Sequence, residues 1–280
     1  MLRTAIAGLL ILLLCISGCK TDTGANEIAI AGTDLTDLKY GSHASQSMDM
    51  FLPGNRNGNT RTIVFVHGGF WIGGDKAQFT ALAKTFRDKG YASAVINYRL
   101  SNTPEKNIHP TQVNDLASAI AFIQSRAGEW KISPDDLSLL GASAGGHLAL
   151  LYAYAYDAGH TVKAVISMAG PSNLMNMQSA SPQQAQVVRW FLGTDAQSSP
   201  TIYQQASPLS HVTANTNPTL LLHGKLDVIV PYEQSLELKS KLDQFSVKNK
   251  LIIYENLGHE DDLNAIPNLV SECESWLSEN

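Results

Sequence analysis

The most constraining stretch of the chain runs from Asp136 to Leu151, where an apolar run must become a helix through a turn made only of small residues. Leu137-Ser138-Leu139-Leu140 reads as a buried strand with one polar break, and it leads directly into Gly141-Ala142-Ser143-Ala144-Gly145. Apolar helix formers follow from Leu148 to about Ala155. So short a connection between strand and helix requires a pinched turn in which only small side chains fit beside the central serine. The Ser143 hydroxyl then stands at the tip, clear of the sheet. An ordinary Gly/Ser/Ala loop has the same composition, so the pentapeptide acquires meaning only if partners for the serine lie close by.

The rest of the chain alternates between strand and helix patterns. Leu35 to Leu52 alternates weakly and predicts an antiparallel edge hairpin, followed by a turn over Pro53 to Thr60. Thr62 to Val66 is the continuous β-branched and aromatic run of a strand buried on both faces. Gln78 to Lys89 carries Phe79, Leu82, Ala83 and Phe86 at helical spacing and is closed by Gly90. Further strands are expected at Ala92–Asn97, Lys163–Met168, Thr219–Leu222 and Lys250–Tyr254. Helices are expected where Val113, Leu116, Ala117, Ile120 and Ile123 share a face, from Tyr232 to about Phe245, and from Leu263 to Leu277. Pro171 to about Asn217 is rich in Gln, Ser and Pro, holds one helical pattern near Ala185 to Leu192, and reads as a small cap insertion. This alternation predicts one α/β domain, a mostly parallel sheet with helices on both faces. With 44% hydrophobic and 16% charged residues in 280, the chain can bury a sizeable core, and its net charge of -5 offers no basic surface for nucleic acid.

In such a sheet ligands sit beyond the carboxyl ends of the strands. His67-Gly68-Gly69, Ser143, Asp227 and Gly258-His259 each come just after a predicted strand, so all fall on one rim. A serine hydroxyl needs a base to take its proton and a third group to orient that base. Around this type of turn the chain order is serine, acid, histidine. Asp227 is the acid candidate, its alternative being a cap on the turn before Pro231. His259 is the base candidate, its alternative being an exposed loop histidine. His147 is expected to pack behind the serine and His223 to be hydrogen-bonded structure, while His109, His160 and His211 lie in loops with no acid placed for them. A tetrahedral intermediate also needs backbone donors. These are assigned to the amides of Ala144, Gly69 and Phe70, with Gly68 as a substitute for one of them, since glycine lets the backbone approach a ligand closely.

Taken together these pieces resemble the α/β-hydrolases of the esterase/lipase branch, the group related to hormone-sensitive lipase and to bacterial feruloyl or acetyl-xylan esterase-like carboxylesterases. The matching residues are His67-Gly68-Gly69-Phe70-Trp71 with Gly74-Asp75-Lys76, Tyr98-Arg99-Leu100, Gly141 to His147, Asp227 before Pro231, and Gly258-His259, spread over roughly residues 35 to 277. The resemblance implies an α/β-hydrolase fold with a mostly parallel eight-stranded sheet and a cap over about 171–217. It also implies a serine carboxylesterase acting on a small-molecule ester through Ser143, His259 and Asp227, with no metal and no organic cofactor. One departure stands out. Phe70 occupies the position of the third glycine in the His-Gly-Gly-Gly form, and Trp71 follows it. His-Gly-Gly-aromatic-Trp is similar to the signature of kynurenine formamidases and also occurs in the feruloyl-esterase-like group. Hydrolysis of an N-formyl amide is therefore the alternative activity, with a non-catalytic surface-binding lipoprotein as a third reading. Phe70 and Trp71 are expected to line the acyl or alcohol pocket or else to pack. The absence of a long apolar lid argues against a triacylglycerol lipase.

The N-terminus reads as a targeting segment. Arg3 precedes an apolar run from Ala5 to Ile16, too short to span a bilayer comfortably. Ile16-Ser17-Gly18-Cys19 resembles a bacterial lipoprotein processing site, which implies cleavage before Cys19 and acylation of that residue; an ordinary signal peptide or an uncleaved anchor is the alternative. The expected organisation is a signal peptide over 1–18, a tether over 19–33 and a catalytic domain over 34–280. Loss of Cys15 and capping of Cys19 would leave Cys273 alone, so no intramolecular disulfide is expected despite an oxidising export route. The membrane is thus an expected partner through a lipid on Cys19, in the cell envelope. Lys20 does not resemble an inner-membrane retention signal, which favours the outer membrane of a Gram-negative cell. Export favours extracellular esters over a cytosolic step of tryptophan breakdown.

Overall fold

The computed structural model describes residues 29–101, 105–259 and 266–280. The expected signal segment, Cys19, most of the tether and the expected start of the last helix at Leu263 lie outside the described residues. Strands β1 (Thr33–Lys39), β2 (Ser47–Leu52), β3 (Thr62–Val66), β4 (Ala92–Ile96), β5 (Leu137–Ala142), β6 (Val162–Met168), β7 (Thr219–Gly224) and β8 (Asn249–Tyr254) form one sheet. Their order is β1-β2-β4-β3-β5-β6-β7-β8. The pairs β1/β2 and β2/β4 are antiparallel and all others parallel. The hairpin forms as expected, but only β1 is an edge; β2 is paired on both sides and buried throughout.

Alternation along β3 explains why helices cover both faces. Ile63 and Phe65 point one way, toward Phe79 and toward Phe86 of α1 (Thr80–Asp88), with Trp276 and Leu277 of α8 (Leu269–Ser278) in the same cluster. Val64 and Val66 point the other way, into a cluster with Val113 and Ile120 of α2 (Thr111–Trp130) and Leu148 of α3 (Ala144–Leu151). The Phe65 ring lies 5.6 Å from Phe79 and 6.0 Å from Phe86. Burying a phenylalanine of this kind contributes about 1.5–3 kcal/mol, and strands covered on both faces read as unbroken apolar runs for the same reason.

Two regions differ from expectation. The insertion after β6 is mostly helical: α4 (Leu174–Ala180), α5 (Pro182–Leu192), α6 (Pro200–Gln205) and a 3₁₀ turn at Pro208–His211. Its helices are short and rich in Gln and Ser, so they show little periodicity, yet their starts are written in the sequence. Asn173 accepts a hydrogen bond from the Met175 amide, and Ser181 from the Gln184 amide with Pro182 at the first helical position. Among the described residues the last helix begins at Leu269. Pro267 disfavours helical backbone at Ile266, and Asn268 sits at φ 56°, so residues 266–268 form a turn. After β7 comes α7 (Glu233–Gln244) as expected. The parallel strands deliver the segments beginning at His67, Ser143, Lys225 and Glu255 to one rim of the sheet.

Candidate active site

Ser143 adopts φ 52°, ψ −122°, a backbone region that side chains rarely enter. The strain persists because the turn is wedged between two strands. A Cβ on Gly145 would come within 2.0 Å of the Val66 carbonyl oxygen, and one on Gly141 within 2.3 Å of the Gly145 carbonyl oxygen. The Ser143 amide donates to Met168 O at 2.8 Å, and its carbonyl accepts from the His147 amide at 3.0 Å. The helix therefore starts at Ala144, directly after the serine, and His147 lies one turn into it.

The base and acid candidates meet the serine. His259 Nε2 lies 3.0 Å from Ser143 Oγ, and His259 Nδ1 lies 2.7 Å from Asp227 Oδ2. With Nδ1–H donating to the carboxylate, Nε2 is left to accept the serine proton. The two sequence readings of Asp227 are both satisfied, one on each oxygen. Its Oδ1 caps the turn before Pro231, accepting from the Ile229 and Val230 amides, each at 2.8 Å. Its Oδ2 takes His259 and also lies 3.2 Å from His223 Nε2. Burial alone would raise the Asp227 pKa, but the bonds from His223, His259 and Val230 outweigh it and hold the carboxyl well below the usual range. His223 is the buried structural histidine the sequence suggests: Nε2–H faces Val230 O at 2.8 Å, and Nδ1 accepts from the Ser235 hydroxyl at 2.7 Å.

The loop after β3 supplies the opposite wall. Gly69 lies at φ 108°, and a Cβ there would come within 2.3 Å of Gly73 O. Neither the Gly69 nor the Phe70 amide donates to an acceptor among the described residues, and the Ala144 amide at the start of α3 has no partner within its helix. Gly68 differs from expectation: its amide donates to Gln78 Oε1 at 3.0 Å and is not available as a substitute donor. Phe70, at φ 56°, takes the left-handed backbone that a glycine would adopt without strain, and the residue is 38% exposed at the pocket.

Trp71 does not line the pocket. It is buried, stacked on Phe191 of α5 at 4.5 Å, and its Nε1–H donates to His147 Nδ1 at 3.2 Å. His147 Nε2–H in turn donates to Ala206 O at 2.7 Å. These contacts tie the oxyanion-type loop, the helix behind Ser143 and the cap together. His109 contacts Phe191 on the cap side, and His211 donates to Gln205 O at 2.8 Å. The space beside Ser143 is a cavity of about 90 Å³, walled by Met168, Leu222, Ile229, Tyr254, Leu257 and Ile266. Gln78, absent from the sequence-based site, also lines it. The only sequence cue to Gln78 was its place one turn after Gly74-Asp75, with nothing in its type to mark it.

Comparison with known proteins agrees with this architecture. A probable isoprenylcysteine α-carbonyl methylesterase of Arabidopsis thaliana is 29% identical over 242 residues, covering 80% of this chain and 50% of its own. The chain thus spans about half the length of the curated relatives it matches. A truncated carbohydrate esterase from gut microbiota superposes with a TM-score of 0.75 at 24% identity, over 88% of this chain and 96% of its own. The propionate-bound esterase Est2 of Thermogutta terrifontis gives 0.70 at 23% identity, over 89% and 94%. The BD-FAE family profile matches residues 48–242, which hold the loop after β3, the Ser143 turn and Asp227. The fold is that of the α/β-hydrolases, and the chain belongs to the BD-FAE family.

Proposed function

We propose that the protein is a serine carboxylesterase that cleaves esters of short carboxylic acids. The carrying observation is the relay from Ser143 Oγ through His259, at 3.0 and 2.7 Å, to Asp227, set opposite the unengaged amides of Gly69 and Phe70. Ser143 attacks the ester carbonyl as His259 Nε2 takes the hydroxyl proton, and Asp227 steadies the imidazolium that forms. The Gly69, Phe70 and Ala144 amides receive the oxyanion. His259 then returns the proton to the leaving alcohol, and a water activated by the same imidazole releases the acid and restores Ser143. Electrostatics supports this reading, because the bonds that hold the Asp227 carboxyl low keep it ionised at neutral pH, with its Oδ2 2.7 Å from the imidazole. The similarity to proteins named as esterases points the same way.

A cavity of about 90 Å³ is smaller than the ~150 Å³ that accepts a benzene ring, which suits a small acyl group. Ser143→Ala is expected to abolish turnover of p-nitrophenyl acetate and labelling by a fluorophosphonate while leaving the circular-dichroism spectrum unchanged. Full-rate hydrolysis by that variant would overturn the mechanism. Measuring an N-formyl amide beside the acetate on the parent chain decides between ester and formamide chemistry. We also propose export as a lipoprotein anchored through Cys19, on the strength of Ile16-Ser17-Gly18-Cys19. Globomycin-sensitive processing and incorporation of labelled palmitate, lost in Cys19→Ala, is the expected result; unchanged fractionation of that variant with membranes would argue for another anchor.

A further inference from the structure

We infer that Gln78 is a specificity-determining residue, whose carboxamide donates to an oxygen of the substrate's alcohol portion; this rests on the esterase reading above. The orientation of that carboxamide is set by its neighbour. Gly68 presents an N–H at 3.0 Å, so the oxygen Oε1 must face it, since the reverse orientation would oppose two donors. The Nε2 group is then turned away from Gly68, and no described residue accepts from it. Gln78 lines the same cavity as Ser143, Gly69, Phe70 and His259. It is exposed at the edge of that cavity, so its free N–H can meet a part of the substrate other than the oxyanion, which takes the Gly69, Phe70 and Ala144 amides.

The base carrying Gln78 is rigid. It belongs to the 3₁₀ turn Lys76–Phe79, capped by Asp75, which accepts from the Ala77 amide at 2.8 Å and from Asn97 Nδ2 at 2.9 Å. The Lys76 amide donates to Asn97 Oδ1 at 2.6 Å, and Phe79 is buried against Phe65. A donor held this firmly at the edge of a largely apolar cavity rewards a ligand that brings an acceptor to it. The fitting alcohols carry an ether or hydroxyl oxygen close to the ester.

Isosteric esters test this without disturbing the chemistry at the carbonyl. Methoxyethyl acetate differs from n-butyl acetate by one oxygen in place of a methylene, as methoxypropyl acetate does from n-pentyl acetate. The ratio of kcat/KM within each pair cancels effects on the oxyanion or on loop position, which both members share. The parent chain is expected to favour at least one oxygen-bearing ester, and Gln78→Leu to lower that ratio by about three- to tenfold, the size of one neutral hydrogen bond. Gln78→Glu keeps an acceptor for Gly68 but repels an ether oxygen, so its ratio should fall at least as far. Ratios equal in the parent chain and both variants would overturn the assignment. If the parent chain hydrolyses none of the four esters and Ser143 resists fluorophosphonate, the esterase reading itself fails and this inference falls with it.

Discussion

Asp227 does two jobs with one carboxylate, and its surroundings predict the effect of changing it. The Ile229 and Val230 amides on Oδ1 fix its plane, leaving Oδ2 to His259 and His223. Asp227→Asn keeps the shape and can keep the amide bonds on its oxygen. Its NH₂ would then face His259 Nδ1 and favour the tautomer with the proton on Nε2, where it cannot accept from Ser143. Turnover is expected to fall about 10⁴-fold with little change in KM, checked by steady-state kinetics on p-nitrophenyl acetate; a loss under tenfold would move the acid elsewhere. Ser143, Asp227 and His259 were legible because each follows a strand and their order is constrained by chemistry. Gly68 and Trp71 were not, because their fates depend on partners far along the chain. Gln78 claims the Gly68 amide, and His147 with Phe191 draws Trp71 inward. A motif names backbone positions but does not say which side chain reaches them.

At the level of elements, the junction of β3, β5 and α3 sets how closely the nucleophile turn can pack. Gly145 is pressed against backbone atoms of Val66 and His67, which cannot yield as a flexible side chain could. Gly145→Ala is expected to destabilise the protein by about 3 kcal/mol, the upper end for overpacking, and to lower activity by moving Ser143. Gly128 is the internal control: it lies on an exposed part of α2 with nothing within 4 Å of an added Cβ. Gly128→Ala should stabilise by about 0.5–1 kcal/mol through helix propensity alone. Urea melts of the two variants check both signs, and equal shifts would contradict the packing argument. Strands β3 to β7 were read from sequence to within a residue or two because burial on both faces leaves long apolar runs. The cap was under-read because its helices are stabilised by a few anchors, Leu174, Met177, Val188 and Phe191, spread over short turns. Their caps at Asn173 and Ser181 were the better signal, and hydrophobic period the poorer one.

Across the whole molecule, buried neutral histidines couple stability to pH. Burial pushes His147 down to about 3, only partly offset by its bond to Ala206 O, and a proton on Nδ1 would meet the Trp71 N–H. Burial also takes His109 down to about 4, with His211 nearby lowering it further. His67, stacked on Tyr98 at 4.3 Å, is likewise depressed by burial against a smaller opposing effect of the Gly68 carbonyl. In each case the unfolded chain binds a proton near pH 6.5 that the folded chain refuses, so unfolding gains protons and stability falls as pH drops. The loss begins below about pH 6.5 and reaches ~1.4 kcal/mol per pH unit for each fully excluded group. His147 alone then removes about 2 kcal/mol between pH 6.5 and 5. Asp227 acts in a lower window: its depressed pKa adds stability that is complete above about 3.8 and is lost as pH falls toward the folded value. Urea midpoints measured at pH 7.5, 6, 5 and 4 should therefore be level at the top and fall steadily below about pH 6.5. In His147→Gln, which retains a neutral hydrogen-bonding group there, the slope between pH 6 and 5 should be shallower by about 1.2 kcal/mol per unit even if the variant is less stable overall. A parent curve that stays flat down to pH 5 would mean that these histidines take up protons in the folded protein, and that the Trp71–His147–Ala206 link yields without breaking the fold.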